Sequence, residues 1–573
     1  MIVDRPSGAA VRAARAEWRA RANGGVVAAA HPLAAEAGAA LLARGGMAAD
    51  AAVAAASMLS VVEPFGSGLG GGGFFLHYDA ASGAVTALDG RETAPAAASA
   101  DLFLHPTTGE PWPRATLATG GAAVGAPGQA RCWAEALRRW GRFGLADALA
   151  PAISVAREGF AVTPYFVREA RAHRQRLGAC PASARAFLPG GRPPPPGWRL
   201  VQPELAATLE LLARDGADAF CAALAPEIAA AVVASAGEHP PGRLSAADVA
   251  DYRVQAREPV RGSYRGYTVA ASAAPSSGVT VVEMLHLLER FDVRGLGPRA
   301  PAGVHLLGEA LRVAHADRVR WLGDPDHGPV PCAALASRFY AAERGRYLAL
   351  DGATAERIPP GLADGGPAPA VPLDEADADA ASTTHLSVAD TAGNAVAYTA
   401  TLGTHFGAAL TVPGRGFLLN NALRNFRFDP RGAVSNNLAA PGKRPRSSIA
   451  PALVFDAAGR LRWVLGAAGA AWITPLVAQL VVSLVDWGLG PQAAVDAPRA
   501  MADDTAGTLL LEPALYDGHP ALVTALWAMG HPVLRAGGPR GAAQVVALDL
   551  AGGAAEGAAD RRRDGAVAVC PAG

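Results

Sequence analysis

Two runs of alternating polar and apolar β-formers, Thr384–Val388 and Asn394–Thr401, flank Asp390-Thr391-Ala392-Gly393. Alternation at period two gives a strand one buried face, and the turn signal between the runs folds them into a β-hairpin. A three-residue loop with Gly393 left-handed pairs Asp390 with Asn394 and places Thr401 opposite Thr383. Two hydroxyls then face each other at the start of the hairpin. Thr383 follows a stretch, 359–382, rich in Pro, Gly, Ala and Asp with few large apolar side chains, which reads as a flexible, solvated linker. A threonine freed at that junction would carry both a hydroxyl and an α-amine. Such an amine titrates at about 7.7–8.0 and can act as base for its own hydroxyl. Taken alone, Thr383 reads as one more β-branched strand residue.

At 573 residues the chain can bury a large core, and its length suggests several domains. Lys+Arg and Asp+Glu both number 51, so no global basic field points to nucleic acid or a membrane surface. The cysteines Cys132, Cys180, Cys221, Cys332 and Cys570 are odd in number and lack Cys-x-x-Cys spacing. They read as buried thiols, not as a disulfide framework or a zinc site. Met1–Gly25 is rich in Arg and has no apolar leader core, which gives a cytoplasmic expectation. Trp463–Val485 is uncharged over 23 residues, long enough to cross a bilayer. Gly466–Ala471 interrupts it, however, and Thr474, Pro475 and Gln479 follow. The expectation is a strand Leu461–Leu465, a tight Gly/Ala loop and a buried helix Ile473–Val485 in a soluble protein.

Earlier in the chain, two small-residue helices, Ala34–Arg44 and Ala48–Leu59, are split by Gly45-Gly46 and suited to close packing on a sheet. Gly68, Gly70 and Gly73 satisfy G-x-G-x-x-G, but Pro64 precedes and an aromatic strand follows, which excludes a dinucleotide fingerprint. A glycine run entering a strand instead means backbone approaching something closely. Residues 130–350 read as mainly helical, with helices Val279–Phe291 and Ala302–Leu322. Beyond Thr383 strands are expected at Gly416–Leu419, Ala452–Phe455, Trp463–Leu465, Thr508–Leu511 and Gln544–Leu548.

Metal motifs are absent from the sequence, with His31, His77, His385 and His405 isolated, and no G-x-S-x-G elbow or Walker loop occurs. What remains is Thr383 with Thr401, Arg91 at a Gly-flanked strand end, Ser447-Ser448 after Gly442-Lys443-Arg444-Pro445, and the loop at Gly469. Singly, these read as an ion pair, a turn and close packing. Together with His31-Pro32-Leu33-Ala34, Val62-Glu63-Pro64, Arg91-Glu92-Thr93-Ala94-Pro95, Arg257-Glu258-Pro259, Pro275-Ser276-Ser277-Gly278, Gly323-Asp324-Pro325 and Thr383-Thr384-His385, their order resembles the γ-glutamyltranspeptidase family of N-terminal-nucleophile hydrolases.

The resemblance implies an α/β (α+β) fold of four layers, αββα, cut from one precursor between Ser382 and Thr383. Residues 1–382 would form the large fragment and 383–573 the small one, intertwined as a heterodimer. It implies that Thr383 attacks an amide carbonyl with Thr401 orienting it, and that the N–H groups of Gly469 and Ala470 form the oxyanion hole. Alanine at the second of these positions replaces the usual glycine, keeping the N–H but restricting the backbone. Arg91, Ser447 and Ser448 match the residues that hold the α-carboxylate of a γ-glutamyl group. Neither metal nor other cofactor is implied; the partners are a carboxylate-bearing acyl donor and water or an amine.

Gly403, Ala422 and Asn425 match positions that bind a glutamyl α-ammonium through Asn, Gln or Glu, and Asp. The expectation is an amidohydrolase or acyltransferase for a γ-glutamyl or similar carboxylate-bearing acyl amide; the change at these positions makes a donor without the ammonium, such as a glutaryl amide or oxamate, the enzyme alternative and the better fit to the pocket. An idle, ligand-binding homologue is the rival from another class. Self-cleavage separates it from an enzyme: purified protein should run as two chains on a denaturing gel, the smaller beginning at Thr383, and Thr383→Ala should run as one. An intact wild-type chain that still hydrolyses amides would exclude the mechanism.

Overall fold

The computed structural model describes residues 19–22, 24–235, 240–354, 357–361, 382–432, 435–502, 507–538, 540–549 and 554–570. Most of the N-terminal segment read for a leader and most of the linker 359–382 therefore lie outside the described residues. Two seven-stranded sheets stack face to face. One runs in the order Arg19–Ala22, Ala554–Ala559, Ala542–Asp549, Leu461–Ala468, Ala452–Phe455, Tyr267–Ala271, Val260–Tyr264. The other runs Ala566–Cys570, Gly25–Ala29, Thr384–Ala389, Ala395–Thr401, Gly72–Tyr78, Val85–Asp89, Gln255–Arg257. Each sheet takes strands from both sides of the Ser382–Thr383 bond, so the two segments cannot be separated without dismantling both sheets.

Small side chains fill the space between the sheets: Val26, Ala28, Leu76 and Ala397 meet Leu453, Val464 and Val546. Outside the second sheet lie the helices Pro32–Ala43 and Ala48–Val62, with Val27, Leu386, Val388 and Tyr398 beneath them. Every residue of Ala48–Val62 is buried, as expected for a helix apolar on all sides. Gly38 lets the pair close up, since a Cβ there would lie 2.9 Å from the carbonyl oxygen of Ala51. Helices Gly278–Leu288, Pro301–Trp321 and Ile473–Val485 cover the first sheet. The layers are thus αββα. Pro203–Ala234 is long and apolar enough by composition to cross a bilayer. Gly216, at φ 77° and ψ 166°, breaks it into halves, each shorter than the roughly 20 residues a span needs.

The hairpin register is the one expected: Thr384 pairs with Ala400 and Ala389 with Ala395, and Gly393 is left-handed at φ 87°. The helix Ile473–Val485 and the strand Ala452–Phe455 also fall where expected. Two expectations need correction and a third needs an addition. The Gly/Ala run is not wholly a loop, because the strand continues to Ala468. Gly466 stays in the sheet since the His385 ring occupies its missing side chain's place, with a Cβ 2.3 Å from Cε1. Gly416–Leu419 forms no strand, only isolated bridges at Leu418 and Leu419. Within 130–350, Gln255–Arg257, Val260–Tyr264 and Tyr267–Ala271 are strands that complete the sheet edges; pairing across the sheets, not local periodicity, makes them so.

The glycine run does approach backbone closely. Gly72 and Gly73 pair with Thr401 and Ala400, and a Cβ on Gly71 would lie 2.1 Å from the carbonyl oxygen of Thr401. Gly71→Ala should therefore push the end of the hairpin away from Thr383, and cleavage at Thr383 should slow sharply on a time-course gel. Gly144→Ala, where a Cβ meets nothing within 4 Å, is the matched control and should process normally. Equal rates for the two variants would show that this packing does not set the site.

Candidate active site

Along the hairpin, side chains on the inter-sheet face form a polar column. Thr383 Oγ1 donates to Thr401 Oγ1 at 3.0 Å, and Thr401 Oγ1 also accepts from the Gly403 N–H at 2.9 Å. Deeper in, His385 Nδ1 lies 2.7 Å from Thr399 Oγ1 and its Nε2 3.0 Å from Ser387 Oγ, which donates to the Gln544 carbonyl. Burial holds His385 down to about 3, so this ring is neutral.

Thr383 sits at φ 94°, a region that costs a β-branched residue of order 1–3 kcal/mol. Hydrogen bonds fix it on several sides. The Gly469 N–H donates to the Ser382 carbonyl oxygen at 3.2 Å, and Arg563 Nη1 donates to the Thr383 carbonyl oxygen at 2.9 Å. The carbonyl of the Ser382–Thr383 bond is therefore already held by one of the two backbone donors singled out from the sequence. Gly469 has φ 137° and Ala470 φ 52°. Alanine adopts the left-handed turn at a cost of about 1–2 kcal/mol, so the substitution leaves the loop in place.

A cavity opens in front of Thr383. It is lined by Arg91, Thr401, Gly403, Asn425, Ser447, Ser448 and Ala470, as the sequence suggested, and also by Arg114, His315, Arg318, Arg424 and Arg446. Gly469 is turned to Ser382 and is not among the lining residues. Nor is Ala422, which is fully buried, whereas Arg424 and Asn425 of the short helical turn Ala422–Asn425 line the cavity. Arg91 makes the ion pair that it reads as when taken alone. Its Nη1 pairs with Glu92 at 2.8 Å, while its buried Nη2 has no partner among the described residues. Ser448 Oγ accepts from Arg318 Nη2 at 3.1 Å, and Ser277 Oγ donates to the Ser447 carbonyl at 2.6 Å. A carboxylate placed beside Ser447 and Ser448 would meet Arg91 Nη2, which still needs an acceptor.

Tertiary contacts also correct the reading of isolated histidines. His405 Nδ1 lies 2.8 Å from Glu169 Oε2, next to His173, and His305 meets His531 beside Glu309. Burial works against the Glu169 carboxylate, yet His405 and Arg168 hold it down to about 2. Arg563, Arg424 and Arg318 were not singled out from the sequence. The triplet Arg561-Arg562-Arg563, flanked by Asp560 and Asp564, was the only signal for the first of these.

Glu63, from Val62-Glu63-Pro64, is fully buried, and its carboxylate oxygens have no hydrogen-bond partner among the described residues. Burial pushes it up to about 7, with the Arg563 charge opposing. A carboxyl raised in the folded state favours the native form while protonated there, and that contribution is lost as pH rises from about 4.5 through about 7. Glu63→Gln should therefore raise Tm more at pH 8 than at pH 5. Equal shifts at the two pH values would show that Glu63 is not the titrating group.

The chain matches the family description Gamma-glutamyltranspeptidase over residues 34–570. It is 39% identical over 548 residues to the Acylase ACY 1 proenzyme of Pseudomonas sp. (strain SE83), covering 94% of this chain and 92% of that one. With the Glutathione hydrolase proenzyme of Bacillus subtilis (strain 168) it shares 34% identity over 547 residues, covering 95% and 91%. The crystal structure of cephalosporin acylase from Bacillus halodurans superposes with a TM-score of 0.85 at 28% identity, covering 100% of both chains. Sequence, layers and hairpin thus agree that this chain is a member of the γ-glutamyltranspeptidase family of N-terminal-nucleophile hydrolases.

Proposed function

We propose that the chain cuts its own Ser382–Thr383 bond and then hydrolyses amides whose acyl half carries a carboxylate and no α-ammonium. The observation that carries the substrate reading is the cavity lining. Gly403 and Asn425 stand beside Arg424, and no Asp or Glu occurs among the described lining residues. An ammonium entering a partly dry site loses hydration and needs anionic or polar acceptors in return. Here it would meet a guanidinium.

Self-cleavage starts from the hydrogen bond that Thr383 donates to Thr401. The hydroxyl oxygen adds to the Ser382 carbonyl carbon, and the Gly469 N–H stabilises the resulting oxyanion. The C–N bond breaks, nitrogen takes a proton, and an ester joins Ser382 to the Thr383 oxygen. Water hydrolyses that ester, leaving a carboxylate on Ser382 and a free α-amine on Thr383. Relief of the strained φ at Thr383 favours the bond's rupture.

In the mature enzyme the α-amine takes the hydroxyl proton as Thr383 attacks the substrate amide. The Gly469 and Ala470 N–H groups meet the oxyanion, each such donor being worth roughly 10²–10³ in rate. The amine half leaves with a proton, and water or another amine resolves the ester. Arg91, Ser447 and Ser448 hold the distal carboxylate. A γ-glutamyl donor is the second reading, favoured by the resemblance to glutathione hydrolase proenzymes.

The two readings separate on kcat/KM for glutaryl and γ-glutamyl 4-nitroanilides. The glutaryl amide should be hydrolysed at least as well, and Asn425→Asp should shift the ratio toward the γ-glutamyl amide. A wild-type preference of about a hundredfold for the γ-glutamyl amide, roughly 2.7 kcal/mol, would overturn the substrate assignment.

A further inference from the structure

Three buried side chains that do not line the cavity in front of Thr383, His305, Glu309 and His531, meet beside the helix Pro301–Trp321. Their donor atoms lie within 4.8 Å of one another. His305 and Glu309 are four residues apart on that helix, so both project from one face. His531 comes from the turn between the helix Pro520–Ala528 and the strand Val533–Arg535, where its N–H is held by the Leu526 carbonyl.

The hydrogen bonds around the cluster fix which atoms face inward as lone pairs. His305 Nε2 lies 2.8 Å from the Ala349 carbonyl oxygen. A carbonyl only accepts, so Nε2 carries the ring proton and Nδ1 presents its lone pair. That lone pair faces His531 Nε2 at 2.6 Å. His531 Nδ1 makes no hydrogen bond among the described residues, although the Gly507 carbonyl stands beside the ring. Glu309 Oε1 accepts from Arg312 Nη1 at 2.8 Å, and Oε2 accepts from the Thr354 N–H at 3.1 Å. Each carboxylate oxygen has a second lone pair to offer. Histidines that ligate a metal donate their other N–H to a carbonyl or carboxylate, and ligating carboxylates are themselves hydrogen-bonded. The outer contacts of this cluster follow that pattern. A single proton between the rings also satisfies the two inner nitrogens, but it leaves His531 Nδ1 bare in the interior.

We propose that His305 Nδ1, His531 Nε2 and a Glu309 oxygen bind a zinc-type divalent cation. Two neutral imidazoles and one carboxylate suit Zn²⁺, which takes such ligands at about 2.0–2.2 Å. Tetrahedral geometry at those lengths sets the two nitrogens about 3.3 Å apart, so the rings open by roughly 0.7 Å on binding. The proton between the rings moves to His531 Nδ1, where the Gly507 carbonyl accepts it, and none is released. Water or the second Glu309 oxygen takes the fourth position. The ligands lie on both sides of the Ser382–Thr383 bond, and Ala349 and Thr354 belong to the segment just upstream of the linker. The cation therefore clips that end of the chain before Thr383 to a turn in the chain after it.

The test uses untagged protein stripped with EDTA and titrated with ZnCl₂ in a calorimeter. One equivalent should bind with a Kd of about 10 µM or tighter, MgCl₂ should not bind, and Tm should rise with Zn²⁺ concentration. His531→Gln, and separately Glu309→Gln, should weaken binding by at least the roughly 10–100-fold that loss of an outer contact alone costs. Both side chains are buried, so the variants are compared where they still unfold cooperatively in EDTA. The visible spectrum of the Co²⁺-loaded wild type is the second reading and should show the bands of a four-coordinate site. Thr383→Ala should bind Zn²⁺ equally, so a chain that fails to cut itself leaves the test intact. Weaker binding, a Co²⁺ spectrum like that of the hydrated ion, or binding that survives both substitutions, as a site at Glu169, His173 and His405 would give, overturns the proposal.

Discussion

The hydrogen bond from Thr383 to Thr401 is the contact on which the rest of the site depends. It exists because two adjacent antiparallel strands keep one register from the Gly393 turn to their open end. A slip of one residue would turn Thr401 to the helix-covered face. Thr383 itself is held in backbone geometry that threonine disfavours. The other sheet supplies Gly469, the neighbouring strand supplies Thr401, and the turn between the last two strands supplies Arg563. Only a stacked pair of sheets brings those three groups to one residue.

Burying polar groups between sheets is costly unless each finds a partner. The column under Thr383 meets that condition through one neutral ring: His385 bridges Thr399 and Ser387, and Ser387 reaches the Gln544 carbonyl on the facing sheet. Gly466 belongs to the same arrangement, since any side chain there would displace the imidazole. The column ties the two sheets together immediately beneath Thr383.

Charge is distributed unevenly around this frame. Behind the hairpin, Glu63 lies in the field of Arg563, and Glu169 pairs with His405. In front, the cavity wall is cationic. The substrate proposed above rests on this distribution, since a cationic wall favours anions over ammonium-bearing groups by long-range field as well as contact. Of the positions that depart from the glutamyl-binding pattern, Gly403 and Asn425 lie on that wall.

Local pattern was enough for the hairpin, its register, the helix Ile473–Val485 and the strand Ala452–Phe455, because period and turn residues act over a few neighbours. Motif order carried the family, and with it the layers and the positions of Thr383, Thr401, Arg91 and Ser447. The strands in 255–271 stayed hidden since their partners are distant edges. The arginines of the cavity stayed hidden because a guanidinium has no meaning in sequence until its neighbours are known. Arg424 follows Ala422 by two residues and both are buried, yet Arg424 lines the cavity and Ala422 does not, which only the turn Ala422–Asn425 decides. The sequence alone determined which threonine stands at the open end of the hairpin, just before the strand Thr384–Ala389, since alternation and turn chemistry are local. The tertiary structure decided its strained backbone, its donors and the charge before it, since those come from segments as far apart as Arg91 and Arg563.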